Sequence, residues 1–476
     1  LVKYRQRNIV TNTNWLPDLT QFPGPKYLAL VRALREAVRV GTLPPDSQLP
    51  TVRELAWQMK VTPGTVSRAY QLATQEGLLA ATVGRGTFVA SATPRFGPTQ
   101  SFYAERDPAY LAGRIDMRSP RMPDVGQGAA FSAAMAGLAD IVASDWLDYP
   151  SQRGEEELRH AVVGWLQGRV LGSVTADDIA LSYGGQSAIN LMFQCCLRGD
   201  RPLVLIEDLA YAGFRHAARL SRAELLALEV DDEGLRPDAL EAACRKHSPQ
   251  VLCVTTEAQN PTTVRMPEHR RREIADIAKT YEIQIIEDDC YSIVQSNIPS
   301  LRALAPDRTW YVGSFSKSIS AALRLGYVVC PSGMGQAGRL TAQHSFFGLA
   351  RPVSDLCLSL LSRGVAAELR SAVQLGFTDR LEGVVNILGA YDLSWQHGLP
   401  FVWLRLPSGW RASIFARMAE TEGVLLRSAD EFALIHGRAP NAVRLALPGN
   451  HSRAQIEEAC RRLARLLDSP PSELSV

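Results

Sequence analysis

The chain lacks any apolar run long enough to span a bilayer, and its N-terminus lacks a charged-then-apolar leader pattern. Neither a membrane anchor nor a secretory signal is therefore expected. Cysteine is sparse and unpaired: Cys195, Cys196, Cys244, Cys253, Cys290, Cys330, Cys357 and Cys460 contain no Cys-x-x-Cys pair, and most sit in apolar stretches. That pattern argues against zinc or any other metal framework and against disulfides. It predicts buried thiols in a reducing, cytoplasmic setting. Net charge is also low, +2, but unevenly spread: residues 1–95 carry 12 Lys/Arg against 5 Asp/Glu, and the rest carry 39 against 44. A small basic unit ahead of a larger, mildly acidic one suits a nucleic-acid module joined to a small-molecule module, although a solvated basic surface gives the same balance. At 476 residues the chain exceeds one core and predicts two or three domains.

The most informative segment is Gly313-Ser314-Phe315-Ser316-Lys317, followed by Arg324-Leu325-Gly326-Tyr327. A lysine after two serines and ahead of an arginine is what an aldehyde cofactor bearing a phosphate needs. The amine links to the aldehyde as a Schiff base, and hydroxyls and a guanidinium neutralise the phosphate. This is pyridoxal 5′-phosphate (PLP) chemistry. Alone the motif is moderately specific, since most lysines are solvated surface residues.

In residues 20–90, apolar positions Leu28, Leu30, Val31, Leu34 and Val38 repeat at helical spacing and stop at Gly41. Thr51 can cap a second helix through Met59, and Pro63 suits the first turn of a third, running to about Glu76. Leu78 to Val89 reads as a two-stranded wing with Gly84-Arg85-Gly86 at its tip. Two helices, a tight turn and a β-ribbon make a winged helix-turn-helix. The residues Leu49-Pro50-Thr51-Val52-Arg53-Glu54-Leu55-Ala56, then Val61-Thr62, Thr65-Val66, Ala69-Tyr70, Glu76-Gly77 and Gly84-x-Gly86-Thr87-Phe88-Val89, resemble the GntR family. The resemblance implies double-stranded operator DNA as partner, approached by Arg53, Thr62, Thr65, Ser67, Arg68, Arg85 and Gly86. Pro63, Gly64 and Ser67 stand where relatives often place basic or hydroxyl groups, so direct base readout is expected to be thin.

Residues 91–114, with Thr93-Pro94, Gly97-Pro98 and Asp107-Pro108, read as a linker. From residue 115 to about 470, short β-branched runs (203–206, 251–254, 283–286) alternate with helical stretches, the pattern of an α/β fold with a mostly parallel sheet. Residues 351–391 read as long and helical, and 395–470 as a smaller C-terminal α/β subdomain.

Ligands gather at the carboxyl ends of such strands, and polar residues follow the apolar runs here. Tyr183-Gly184-Gly185-Gln186-Ser187 precedes a helix, where N–H groups take up phosphate. Tyr211 follows the 203–206 run, Gln259-Asn260-Pro261 the 251–254 run, and Asp288 through Tyr291 the 283–286 run. A carboxylate at a pyridine nitrogen keeps it protonated, and a buried Asp needs such a cationic partner. Each residue alone reads equally well as a turn or core group; the ordered set points to a cofactor.

The set resembles the fold-type I aminotransferases across residues 115–470. The resemblance implies Lys317 as the Schiff-base lysine and Asp288 as the pyridinium partner. Asn260 and Tyr291 go to the ring hydroxyl and Tyr211 to stacking. Gly185, Gln186, Ser314, Ser316 and Arg324 go to the phosphate, and Arg444 to an effector carboxylate. Tyr149 matches a tyrosine that reaches a neighbouring subunit's phosphate. Departures are Thr263, where many relatives have glycine, and Cys290, where many have tyrosine.

A GntR-type winged helix followed by an aminotransferase-like domain looks like the MocR subfamily of bacterial transcription regulators. It implies a head-to-tail homodimer whose DNA affinity responds to a small amino compound, an amino acid or aminosulfonate, meeting PLP. The protein is then a regulator rather than an enzyme, with a residual transamination half-reaction left open. The alternatives are an active aminotransferase carrying a DNA-binding domain, and a direct sensor of PLP controlling vitamin B6 genes.

Overall fold

The computed structural model describes residues 15–44, 47–75, 78–82, 86–90, 108–138, 147–291, 296–434 and 439–469. The chain divides into two compact units, residues 1–104 and 105–476.

In the first unit, α1 (Lys26–Arg39), α2 (Val52–Met59) and α3 (Pro63–Gln75) precede an antiparallel ribbon of β1 (Leu79–Thr82) and β2 (Gly86–Val89). Leu30, Val31 and Leu34 of α1 meet Leu55, Val66, Ala69 and Tyr70 in one apolar core. The Thr51 hydroxyl accepts the Glu54 N–H, and the Glu54 carboxylate accepts the Thr51 N–H at 2.9 Å, so two otherwise orphaned donors are satisfied reciprocally. Lys60, left-handed at φ 53°, ends α2 where the sequence offers no glycine. The ribbon gains a flank that local pattern did not predict: Leu49 N donates to Thr87 O and Val89 N to Ser47 O, each at 2.8 Å.

In the second unit, the elements that build the site are, in chain order, β3 (Ile179–Ser182), α4 (Gly185–Cys196), β4 (Leu203–Glu207), α5 (Ala212–Leu220), β5 (Glu224–Leu228), β6 (Val251–Val254), α6 (Glu268–Thr280), β7 (Gln284–Asp288), β8 (Thr309–Ser314) and β9 (Gly326–Val329). Seven strands form one sheet in the order β3-β9-β8-β7-β6-β4-β5. Only β9 runs antiparallel to its neighbours, β8 and β3. The central strands are buried on both faces, which explains their unbroken apolar runs. Ile206, Cys253, Ile286 and Val312 pack on one face with Phe193 and Phe214; Leu205, Leu252 and Ile285 pack on the other with Ile274 and Leu240.

Residues 351–391, read as long and helical, form two helices, α7 (Arg351–Ser362) and α8 (Val365–Leu388). Gly364 takes φ 76°, a left-handed turn that interrupts the helical ladder. Beyond it come β10 (Leu393–Ser394), β11 (Phe401–Arg405), α9 (Ala412–Thr421), β12 (Arg427–Ser428), β13 (Ala442–Ala446) and α10 (Arg453–Leu467), whose strands pair in the order β10-β11-β13-β12. The core of this smaller layer draws on residues far outside 395–470. Met117 and the α8 residues Phe377, Leu381 and Val384 are buried in it, and Ile115–Asp116 pairs parallel with Val424–Leu425. Within the segment read as a linker, Pro108–Leu111 is a short helix and the Tyr110 hydroxyl donates to Glu420.

Candidate functional site

Of the candidate residues described in the first unit, Arg53, Thr62, Arg68 and Gly86 are exposed. Arg53 is exposed on the first turn of α2. The Thr62 hydroxyl lies 2.9 Å from that of Thr65 and accepts the Thr65 N–H, so both residues are partly engaged in starting α3. Ser67 is half-buried, and the Arg68 guanidinium stacks 4.0 Å above the Tyr27 ring. Gly86 opens β2 at φ 110°, a conformation that side chains rarely adopt, and a Cβ there would also fall 2.7 Å from Gln48 Nε2, so the position favours glycine. Arg85 lies outside the described residues.

In the second unit, residues separated by up to 260 positions converge at the carboxyl ends of β4, β6, β7 and β8. Gly184, at φ 81°, starts α4, and the Arg324 guanidinium lies directly over it: an added Cβ would sit 2.9 Å from Nη2. Arg324 Nη2 also donates to Tyr183 O at 2.7 Å. A Cβ on Gly185 would fall 2.7 Å from Cys290 Sγ and 3.9 Å from Ser314 Cβ, which brings β7 and β8 against the helix start. Gln186 Nε2 donates to Gly213 O at 3.1 Å, and Gly213 has no room for a Cβ because Tyr211 and Gln186 both crowd it. Lys317, half-buried on the turn after β8, has its Nζ 5.7 Å from the Tyr291 ring centroid. Tyr291 packs edge-on to Phe401 at 5.1 Å, and Arg444 Nη1 donates to Asn260 Oδ1 at 2.6 Å. Tyr149 is not among the converging residues. It is 81% exposed and stacks on Phe347 at 5.4 Å.

Burial sets the electrostatics. Asp288 ends β7 almost wholly buried; its Oδ1 accepts the Cys290 N–H at 2.9 Å, and burial pushes its carboxyl above the usual range. Among the described residues no ion pair reaches Asp288. Arg444 is likewise buried, held by Asn260 and by the Arg118 carbonyl at 2.7 Å, between the Phe401 and Phe432 rings. Its Nε has no hydrogen-bond partner among the described residues, and burial lowers its pKa. A buried cation and a buried anion, neither in an ion pair among the described residues, are both costly, so each favours a ligand of opposite charge.

These features fit PLP. A phosphate would meet the free N–H groups at the start of α4, the Arg324 guanidinium and the buried, partnerless Ser316 hydroxyl. Ser314 is a weaker donor than its position suggests, because its hydroxyl already faces Leu325 O at 3.4 Å and accepts the Ser316 N–H at 3.1 Å. Asp288 would meet a pyridinium.

Residue patterns match in the same order. The family described as aminotransferase class I and II matches residues 124–463. The chain belongs to that family. The family described as bacterial regulatory proteins, gntR family, matches residues 26–89, which makes the two-part order that of the MocR architecture. The chain is 29% identical to YdeF of Bacillus subtilis, described as an uncharacterized HTH-type transcriptional regulator, over 96% of this chain and 97% of that one. It is 27% identical to the HTH-type transcriptional regulator TauR of Rhodobacter capsulatus, over 92% and 96%. It is also 28% identical to a 2-aminoadipate transaminase of Thermus thermophilus, over 67% and 81%. Among solved structures, the alpha-aminoadipate aminotransferase LysN of Thermus thermophilus aligns with TM-score 0.65 at 25% identity, covering 76% of this chain and 93% of that one.

Three features escaped the sequence reading. Asp289 accepts Arg169 Nε at 3.0 Å and the Tyr311 hydroxyl, and burial raises it to about 7. Glu207, fully buried at the end of β4, is raised by burial to about 8. Gln259, 1% exposed, bonds through its side chain to Thr262 and to Leu209 O. Glu207 and Asp289 stand next to acidic residues in sequence, and nothing local shows that Glu207 is more buried than Asp208 or that Asp288 and Asp289 are both buried with different partners.

Proposed function

We propose that this chain is a PLP-dependent transcription regulator whose DNA affinity responds to an anionic amino compound bound in the second unit. The observation that carries this reading is one chain with a GntR-type unit ahead of a pocket that holds both Lys317 and a buried Arg444 in no ion pair among the described residues. PLP, when bound, supplies an aldehyde for amines and a ring that withdraws electrons. The protein's part is placement. Lys317 offers its amine at the end of β8, and Asp288 holds a proton on the ring nitrogen. Asn260 and Tyr291 would serve the ring hydroxyl, and Tyr211 would offer an aromatic surface for the ring. Gly185, Gln186, Ser316 and Arg324 grip the phosphate, with Ser314 bracing Ser316. Arg444 binds the effector's anionic group and so selects amino acids or aminosulfonates over simple amines. Tyr149, exposed beside exposed Phe347, is the residue offered to a second copy in a homodimer.

On DNA, Arg53 and the start of α3 meet phosphates and base edges, with Gly86 letting the wing approach closely. Effector binding changes DNA affinity only as far as it favours one conformational state over another. Complete switching from 1:99 to 99:1 takes a differential of about 5.5 kcal/mol.

A second reading, an aminotransferase that carries a DNA-binding unit, draws on the intact Lys317 and Asp288. One experiment separates them: absorbance scans of wild type and Lys317→Ala during titration with a panel of amines, with operator binding followed in parallel. The regulator reading expects a visible cofactor band that is lost in the variant, and an amine that alters both the band and DNA affinity without keto-acid accumulation. Sustained keto-acid production favours the enzyme. A DNA response to PLP alone favours a PLP sensor, and no band even with added PLP removes the cofactor from the reading.

A further inference from the structure

Gln259 precedes Asn260 and is 1% exposed, deep under the carboxyl ends of β4 and β6. All of its polar groups are engaged. Its main-chain N–H donates to Val264 O at 3.0 Å, and its carbonyl accepts the Thr263 N–H at 2.8 Å. Its side-chain Oε1 accepts both the Thr262 N–H at 2.9 Å and the Thr262 hydroxyl at 2.7 Å, and Nε2 donates to Leu209 O at 2.6 Å. One residue thus closes the loop 259–264 on itself and ties it to the strand end that leads into Tyr211. From the smaller layer, Gln396 Nε2 donates to the carbonyls of Thr263 and Glu257. Thr263 sits at φ 68°, a left-handed conformation unusual for a β-branched residue, which the surrounding bonds must hold.

An asparagine amide has an acceptor end and a donor end, and only its backbone placement decides what each meets. Here Asn260 Oδ1 takes Arg444 Nη1. We propose that Gln259 is a positioning residue for Asn260, fixing it so that Oδ1 meets Arg444 and the Nδ2 donor is left for the ring hydroxyl. This rests on the PLP reading above. Gln259 touches neither cofactor nor effector itself; it acts by holding the loop, as supporting residues around other bound groups do.

The test is a double-mutant cycle on the PLP-loaded full chain: wild type, Asn260→Ala, Gln259→Ala and the double variant. Two quantities are read, the rate of PLP release into a scavenger and the pH midpoint of the visible band. The titratable and charged groups around this loop include Glu207 at the end of β4, Tyr211 beyond it, the Glu257–Arg265 ion pair beside the loop, Asp288 at the end of β7, Tyr291 and Lys317 in the pocket and Arg444 on β13, and all are unchanged in the cycle. Gln259→Ala is expected to speed release about fivefold and to move the midpoint in the same direction as Asn260→Ala. In the Asn260→Ala background it is expected to add nothing. Should Gln259→Ala fail to fold, Thr262→Val carries the same cycle by removing the 2.7 Å bond to Gln259 Oε1, with Thr262→Ser restoring it. Additive effects in the two backgrounds, or no effect of the single variant, overturn the proposal. Absence of any Lys317-dependent band in wild type instead overturns the PLP reading on which it stands.

Discussion

The two units hold their candidate residues in opposite ways. In the winged helix they fall within one short stretch, from Arg53 to Gly86, and most face solvent. In the aminotransferase-like unit they come from segments between Gly185 and Arg444, and three of them, Asp288, Asn260 and Arg444, are buried and bonded. A DNA surface is completed by its partner, so its side chains wait in water. A cofactor pocket must be preorganised, so its groups are desolvated in advance. Substitutions in the first unit should therefore cost binding with little stability, and those in the second should disturb both.

The largest expected effect is at Arg444. Replacing it with Gln removes a buried cation that has no carboxylate partner among the described residues, while keeping a side chain able to face Asn260. Affinity for anionic amines is expected to fall about 100-fold, about 3 kcal/mol, with the visible cofactor band retained. Competition titrations with amines bearing and lacking a carboxylate would measure it. Equal weakening of both classes would show that Arg444 supports the pocket instead of reading the anion.

Glu207 sharpens the stability side of the contrast. Burial raises its carboxyl to about 8 from an ordinary 4.5, so the folded state keeps a proton that the unfolded state releases. Between those values the folded state binds more protons, and stability falls as pH rises, by about 1.4 kcal/mol per pH unit for one such group. Glu207→Gln should flatten that slope, gaining on wild type as pH goes from 5.5 to 7.5. Urea unfolding followed at both values tests it; parallel losses in the two proteins would count against a proton on Glu207.

What could be read beforehand follows the same division. The winged helix was legible because its signals are local: Thr51 and Glu54 three residues apart, Pro63 at a helix start, glycines at the wing. The parallel sheet was legible because strands buried on both faces must be continuously apolar, and residues that follow such strands are candidates by position. The break at Gly364 has no local signature, because one glycine inside a long helical pattern gives no sign of a left-handed turn. The extent of the smaller layer escaped because Met117 and the Ile115–Asp116 strand join it across some 300 residues of intervening chain. The Arg169–Asp289–Tyr311 cluster escaped for the same reason: each member has an ordinary local context, and only the sheet brings them together.

The smallest expected effect probes the place where the first unit behaves like the second. Arg68 is exposed, as a DNA residue should be, yet its guanidinium is held 4.0 Å above the Tyr27 ring of α1. A stacked guanidinium keeps its edge N–H groups, so the ring can present the charge without consuming its hydrogen bonds. Tyr27→Leu preserves apolar contact and removes the ring's attraction, which should cost about 0.5–1 kcal/mol of stability in this unit. If Tyr27 serves to aim Arg68 at a phosphate, operator affinity falls by a similar few-fold factor. Arg68→Ala then lowers the salt slope of binding by about 1, and Tyr27→Leu has no further effect in that background. If the stack serves the fold alone, Tyr27→Leu lowers the melting temperature and leaves operator affinity and its salt dependence where they were. That outcome would remove Arg68 from the DNA surface and leave Arg53 and the start of α3 to carry it.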